Sequence, residues 1–152
     1  MISCVRRIQF CAGHRVVNHE SKCRNLHGHN YVAFLHARAV ERSATDPGLD
    51  AIGRVIDFSV LKEKVGGWIE REWDHGLVLW AEDPIKPLLS HAFGQLGEPF
   101  PKWYSLRWNP TAENMAEYLL RGVCPVQLRG TGVEVHRVVL WETENCFAEA
   151  EL

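Results

Sequence analysis

Residues 132 to 142 alternate with a period of two. Val133, Val135, Arg137, Val139 and Trp141 fall on one side, and Glu134, His136, Val138, Leu140 and Glu142 on the other. A helix would scatter both sets around its circumference, so this run is a strand, ending at Thr143 or just beyond. One strand cannot stand alone in water, and the rest of the chain must supply its sheet. Cys4 to His14 reads as a first strand, with Val5, Ile8 and Phe10 as its apolar members. Tyr31 to Val40 alternates large apolar residues with Ala and His and reads as a second strand antiparallel to the first. Residues 15 to 28 are polar and form the loop between them, and Tyr104 to Trp108 is a short further strand.

Elsewhere the period changes. Phe58, Leu61, Val65, Trp68, Ile69 and Trp73 recur every three to four residues behind Asp57, which predicts a capped helix to about Trp73 in spite of Gly66-Gly67. Thr111 as N-cap, with Glu113 in the first turn, predicts a second helix to about Arg121. Asp46-Pro47-Gly48 punctuates the connection after the second strand. Between Ala81 and Trp103 stand Pro84, Pro87, Pro99, Pro101, Gly94 and Gly97, so a loop is expected there, with at most a short helix from Leu88 to Phe93. The order predicts an α+β domain spanning 1–152, an antiparallel four-stranded sheet with two helices on one face. At 152 residues and 46% hydrophobic, the chain can bury one core.

The chemistry concentrates in Cys23-Arg24-Asn25-Leu26-His27-Gly28-His29-Asn30-Tyr31. At a strand entrance, His27 and His29 point to the same face and can grip one cation. His14 closes the first strand and offers a third imidazole. Three histidines with a fourth position open form a catalytic zinc pattern. Eight histidines in such a chain produce some close pairs by chance, and most histidines are ordinary hydrogen-bonding residues. Cys23 has three readings: a base whose thiolate is favoured by a nearby cation, a fourth ligand in a closed structural site, or an inert thiol. Closed sites usually carry paired CxxC knuckles, and none of the five cysteines is so spaced.

Three further groups are ambiguous from the residues alone. Asp74-His75 reads as a helix-end carboxylate beside a surface imidazole, because adjacent strand side chains diverge, although an Asp can also fix a histidine's tautomer. Glu142 is either exposed at a strand end or placed to bind a guanidine-like edge through two parallel hydrogen bonds. The Thr111 to Asn114 segment is an ordinary cap before it is an anion site.

Net charge is −2 with both signs interspersed, so neither nucleic acid nor a membrane surface is an expected partner, and a small molecule is. Met1-Ile2-Ser3-Cys4-Val5-Arg6-Arg7 lacks a signal-peptide core, and five unpaired-looking cysteines fit a reducing compartment. A cytoplasmic location is expected.

Taken in order, Phe10-Cys11-Ala12-Gly13-His14, the stretch from Cys23 through His27-Gly28-His29-Asn30-Tyr31, Val55-Ile56-Asp57-Phe58, Asp74-His75, Pro110-Thr111-Ala112-Glu113-Asn114 and Glu142-Thr143 resemble the 6-pyruvoyl-tetrahydropterin synthase superfamily. The resemblance runs from Gln9 to Thr143. The short gap from Cys23 to His27 is similar to the 6-carboxy-tetrahydropterin synthase branch, which serves the queuosine (7-deazaguanine) pathway. The resemblance implies a tunnelling fold, whose subunits pair edge strands into a barrel, usually as a hexamer of two trimers with active sites at subunit boundaries. It implies Zn²⁺ on His14, His27 and His29, Cys23 as general base, Asp74 and His75 as proton relay, and Glu142 as anchor of the pterin's amino-pyrimidine edge, with Thr111 also at the substrate. The implied substrate is 7,8-dihydroneopterin triphosphate, and the products are 6-carboxy-5,6,7,8-tetrahydropterin, acetaldehyde and triphosphate. Arg15, Lys22 and Arg24 are triphosphate candidates by charge and proximity alone. Ala81 to Trp108 is longer than in compact members. The alternatives are a relative that keeps the side chain as a pyruvoyl group, an aldolase-like activity, and a non-catalytic metal- or pterin-binding module.

Overall fold

The computed structural model describes every residue except Met1, Arg42, Ala44 and Pro47, so the proline of the expected Asp46-Pro47-Gly48 connection lies outside the described residues. Its elements are β1 (Cys4–His14), β2 (His27–Ala39), α1 (Phe58–Leu61), α2 (Gly67–Glu72), β3 (Gly76–Trp80), α3 (Ile85–Leu96), β4 (Trp103–Leu106), α4 (Ala112–Tyr118), α5 (Cys124–Gln127), β5 (Val133–Thr143) and β6 (Cys146–Glu151). Two five-residue π segments, Lys62–Gly66 and Leu119–Val123, join α1 to α2 and α4 to α5 into two long helical runs. Among the described residues no helix is long and apolar enough to cross a membrane.

The sheet order is β4-β3-β1-β2-β5-β6. The block β1-β2-β5-β6 is antiparallel, whereas β3 joins β1, and β4 joins β3, in parallel. This corrects the expected four-stranded antiparallel sheet to a mixed sheet of six. Two strands had no clear signal. Gly76–Trp80 is a short apolar run directly behind a helix, and Cys146–Glu151 is a largely exposed edge. The Tyr104 strand is a parallel edge rather than a member of the antiparallel block.

The helical layer also exceeds two helices. Twelve-residue α3 fills much of the stretch read as loop. Its prolines misled because Pro84 sits at the N-cap and Pro87 in the first turn, where a missing N–H breaks no helical bond. Gly97 ends the helix with φ of 69°. The second long helix passes Arg121 and continues to Gln127, its π segment falling directly before Cys124-Pro125. Asp57 and Thr111 cap as expected, accepting from the Ser59 and Asn114 main-chain N–H groups at 2.9 and 3.3 Å.

One face of the sheet packs against the two long helical runs, whereas α3 has no buried residue. Phe10, Ala12, Tyr31, Ala33, Leu35 and Ala37 meet Leu61, Val65, Ile69, Trp73, Met115 and Leu119 in one buried cluster. Phe10 stacks on Tyr31 at 5.2 Å, and Trp73 is fully buried beside Phe10. Each such side chain contributes on the order of 2 kcal/mol by leaving water.

Against β2, the strict alternation of β5 fails at one point, and a second register shift, between Trp141 and Thr143, occurs against β6. His36 pairs with Arg137 but Ala37 pairs with Val135, so His136 is an extra residue, a β-bulge. The core-facing set is therefore Val133 and Val135 before the bulge and Val138 and Leu140 after it. Arg137, Val139 and Trp141 consequently leave the face expected from Val133 and Val135. The phase change carries Glu142 to the helix-covered side, where the histidines lie.

Candidate functional site

β1 and β2 run antiparallel in perfect register to their junction, pairing His14 with His27 and Gly13 with Gly28. β2 thus begins at His27, four residues before its expected start. His14, His27 and His29 continue the inward parity of Ala12 and Tyr31 and converge at the end of the core. The two glycines permit the approach: a Cβ on Gly28 would stand 2.9 Å from the Ala12 carbonyl oxygen, and one on Gly13 would stand 2.6 Å from a Leu77 methyl.

One ring nitrogen from each histidine lies within 4.8 Å of the other two. His14 Nδ1–H donates to the Pro110 carbonyl at 2.7 Å, and His27 Nδ1–H donates to the Asn25 carbonyl at 2.7 Å. In neutral rings both Nε2 atoms then carry lone pairs, and these face each other at 3.2 Å. Bare lone pairs at that distance repel unless a cation sits between them, and carbonyl-oriented imidazoles are the usual outer support of a metal site. Burial first of all lowers His14 to about 4, partly opposed by the Pro110 carbonyl and reinforced by His27 and His29. His29 is lowered too, by burial above all, against the raising effect of Glu142. The set is nitrogen-only and buried on one side, which fits a metal cation.

Glu142 reaches this cluster from β5, its Oε1 lying 3.5 Å from His29 Nε2. Cys23 rides a single 3₁₀ turn, Lys22–Arg24, and is half-buried. His14, Cys23, Thr111 and Glu142 share the walls of one cleft of about 280 Å³, together with Cys146 and Phe147. Four of the expected site residues therefore meet in one chain.

Asp74 and His75 do not join them. His75 has φ of 54°, and this left-handed turn swings its ring back so that Nδ1–H donates to Asp74 Oδ2 at 2.7 Å. Adjacent side chains meet here because the pair sits in a turn, which corrects the reading that they diverge. Burial alone would raise Asp74. The Cys11 main-chain N–H at 2.8 Å, the His75 ring and Lys102 outweigh it and hold the carboxyl below its usual range. His75 borders a hollow of about 340 Å³ with His29 and with Cys11, Gly13, Gly28 and Asn30, the last four alternating away from the helix-covered face.

Among the basic candidates, Arg15 is committed: its Nε donates to the buried Asp83 carboxylate at 2.9 Å. Lys22 and Arg24 are exposed. Sequence reasoning missed Pro110 and Asn25 as supports of the histidines, because they act through main-chain carbonyls. It also passed over Tyr31, fully buried edge-on to His14 and His29, whose hydroxyl has no partner among the described residues.

The family model for 6-pyruvoyl tetrahydropterin synthase matches residues 3–152. A Rickettsia felis protein named 6-carboxy-5,6,7,8-tetrahydropterin synthase is 39% identical over 150 residues, covering 98% of this chain and 99% of its own. One from Aquifex aeolicus with the same name is 31% identical, covering 95% and 94%. Among solved structures, an uncharacterized protein from Wolinella succinogenes superposes with a TM-score of 0.78 at 24% identity, over 99% of this chain and 97% of that one. The Caenorhabditis elegans 6-pyruvoyl tetrahydropterin synthase superposes at 0.64 with 20% identity, over 99% and 95%, a likeness of fold.

Proposed function

The chain belongs to the 6-pyruvoyl tetrahydropterin synthase family, and from that premise we propose that it is a 6-carboxy-5,6,7,8-tetrahydropterin synthase, a lyase acting on 7,8-dihydroneopterin triphosphate. The observation that carries the reading is the near-full-length identity to relatives of that name, joined to three convergent histidines, of which His14 shares a cleft with the Glu142 acid and the Cys23 thiol.

His14, His27 and His29 would hold Zn²⁺, which when bound supplies Lewis acidity toward the substrate's side-chain hydroxyls. The protein's own groups divide the remaining work. The Cys23 thiolate takes the proton from the side-chain carbon next to the ring. The Glu142 carboxylate accepts two parallel hydrogen bonds from the amino-pyrimidine edge and fixes the ring's orientation. Thr111, on the same cleft wall, keeps the α4 N-terminus toward the substrate. His75, its tautomer held by Asp74, returns protons as triphosphate and acetaldehyde depart.

Cys23 and His75 border different hollows of one chain. The reading therefore includes an oligomer, a hexamer of two trimers with edge strands paired into a barrel, in which neighbouring subunits complete each other's sites. The product would enter queuosine biosynthesis.

The test is to incubate metal-loaded protein with 7,8-dihydroneopterin triphosphate and an acetaldehyde trap, then identify products by mass spectrometry. Trapped acetaldehyde with 6-carboxy-5,6,7,8-tetrahydropterin is the expected result. A 6-pyruvoyl product without acetaldehyde would move the chain to the sister activity, and no turnover would leave a binding module.

A further inference from the structure

The loop that carries Cys23 belongs to no strand, yet its thiol must keep a fixed place beside the histidines. Its grip on the rest of the fold is visible at Val17. The Asn109 side chain takes both main-chain groups of that residue: Val17 N–H donates to Oδ1 at 2.8 Å, and Nδ2–H donates to the Val17 carbonyl at 3.0 Å. One residue back, the Val16 N–H donates to the Cys23 carbonyl at 2.8 Å and closes the loop on itself. Asn109 is thus two main-chain steps from the thiol-bearing residue.

The next residue on the other side is Pro110, whose carbonyl orients the His14 ring at 2.7 Å. Thr111 follows and caps α4. The Asn109 carbonyl is itself braced, by the Thr111 N–H at 2.9 Å and by Asn114 Nδ2–H at 2.9 Å. Three consecutive residues therefore grip the Cys23 loop, set a metal-ligand ring and start a helix. Pro110 has its φ fixed by its ring, so little slack separates the first two tasks.

We infer that Asn109 is a positioning residue for the reaction: it ties the Cys23 loop to the same backbone unit that orients His14, and so fixes the base relative to the metal centre. The residue type is demanded by the geometry. A primary amide presents a donor and an acceptor on two atoms side by side, which matches the N–H and C=O of one residue, whereas a carboxylate only accepts, an alkyl chain does neither, and a hydroxyl has a single atom for both roles. Neither half of the clamp touches the cleft, so the effect falls on placement of Cys23 rather than on affinity for the pterin.

This inference rests on the assignment of Cys23 as base. Its test compares the unsubstituted protein with Asn109→Ala, and with Asn109→Ser should the alanine variant fail to fold. Metal content, kcat, KM, and the iodoacetamide alkylation rate of Cys23 in metal-free protein are measured, the last by mass spectrometry of the peptide that contains Cys23. The expected outcome is a fall in kcat of roughly 10- to 100-fold, the usual effect of removing an outer support. KM and metal content stay near those of the unsubstituted protein, and Cys23 alkylates several-fold faster once its loop is released. Unchanged kcat and unchanged alkylation would overturn the inference, as would a loss of activity that merely follows a loss of folded protein or bound metal. Cys23→Ala serves as reference. If it is inactive while Asn109→Ala is fully active, the inference alone fails. If Cys23→Ala still turns over, the assignment of the base fails and takes the inference with it.

Discussion

The Nε2 atoms of His14 and His27 stand 3.2 Å apart, each on a ring whose Nδ1–H is spent on a main-chain carbonyl. Without a cation this contact is two lone pairs opposed. With one it is two ligands already aimed, and His29 supplies the third nitrogen. His27→Ala should therefore weaken metal binding by at least 10-fold, a usual minimum even for an outer-shell loss. Metal content after dialysis against a weak chelator checks this, and near-stoichiometric retention would remove His27 from the ligand set.

Gly28 allows that approach. A methyl group there would press on the Ala12 carbonyl at 2.9 Å, and its nearest neighbours are all β1 backbone, so no flexible side chain can yield. Gly28→Ala should destabilise the protein by about 1–3 kcal/mol, as overpacking does, and weaken metal binding in step. Urea unfolding and metal titration on the same variant check both, and an unchanged midpoint would show that the strands can separate freely.

Acid should weaken the metal-free protein. His14 accepts a proton at about 4 when folded and near 6.5 when unfolded, so between those values the unfolded chain binds more protons. Stability is full above pH 6.5 and falls as pH drops toward 4. At about 1.4 kcal/mol per pH unit the loss from His14 is roughly 3 kcal/mol. His36 and His136 act in the same direction. Burial lowers each first; Arg137 adds to the lowering of His36, and Arg38 with His36 to that of His136, against nearby glutamates. Urea midpoints of chelator-treated protein at pH 7 and pH 5 decide, and a higher midpoint at pH 5 would contradict the sign.

Cys23 and His75 line separate hollows of one chain, so two defective variants should repair each other if subunits share sites. Cys23→Ala and His75→Ala, each inactive alone, should regain part of the activity when unfolded together and refolded as a mixture. A mixture as inactive as its components would place the whole site within a single subunit.

Much of this site was legible in the sequence, because strand parity governs it. His14, His27 and His29 follow from a period of two, and Glu142 was correctly grouped with Val138 and Leu140. The grouping of Val133 and Val135 with Arg137 failed, since the bulge at His136 depends on pairing with β2 and leaves no local mark. The Asp74-His75 contact stayed open from the residues alone for a similar reason: the positive φ of His75 comes from a turn between α2 and β3, and β3 was itself unseen. Supports acting through main chain, such as Pro110 and Asn25, carry no side-chain signature at all. The prolines of 84 to 101 suggested loop because composition does not say which of them stand in a helix's first turn.

If three histidines hold the metal while Cys23 stands beside them as base, the thiol can be removed without releasing the cation. Metal per chain in Cys23→Ala, measured on the same preparation assayed for turnover, tests it most directly. Metal content should equal that of the unsubstituted protein, with turnover abolished. Loss of the metal would make Cys23 a fourth ligand and the site a closed, structural one.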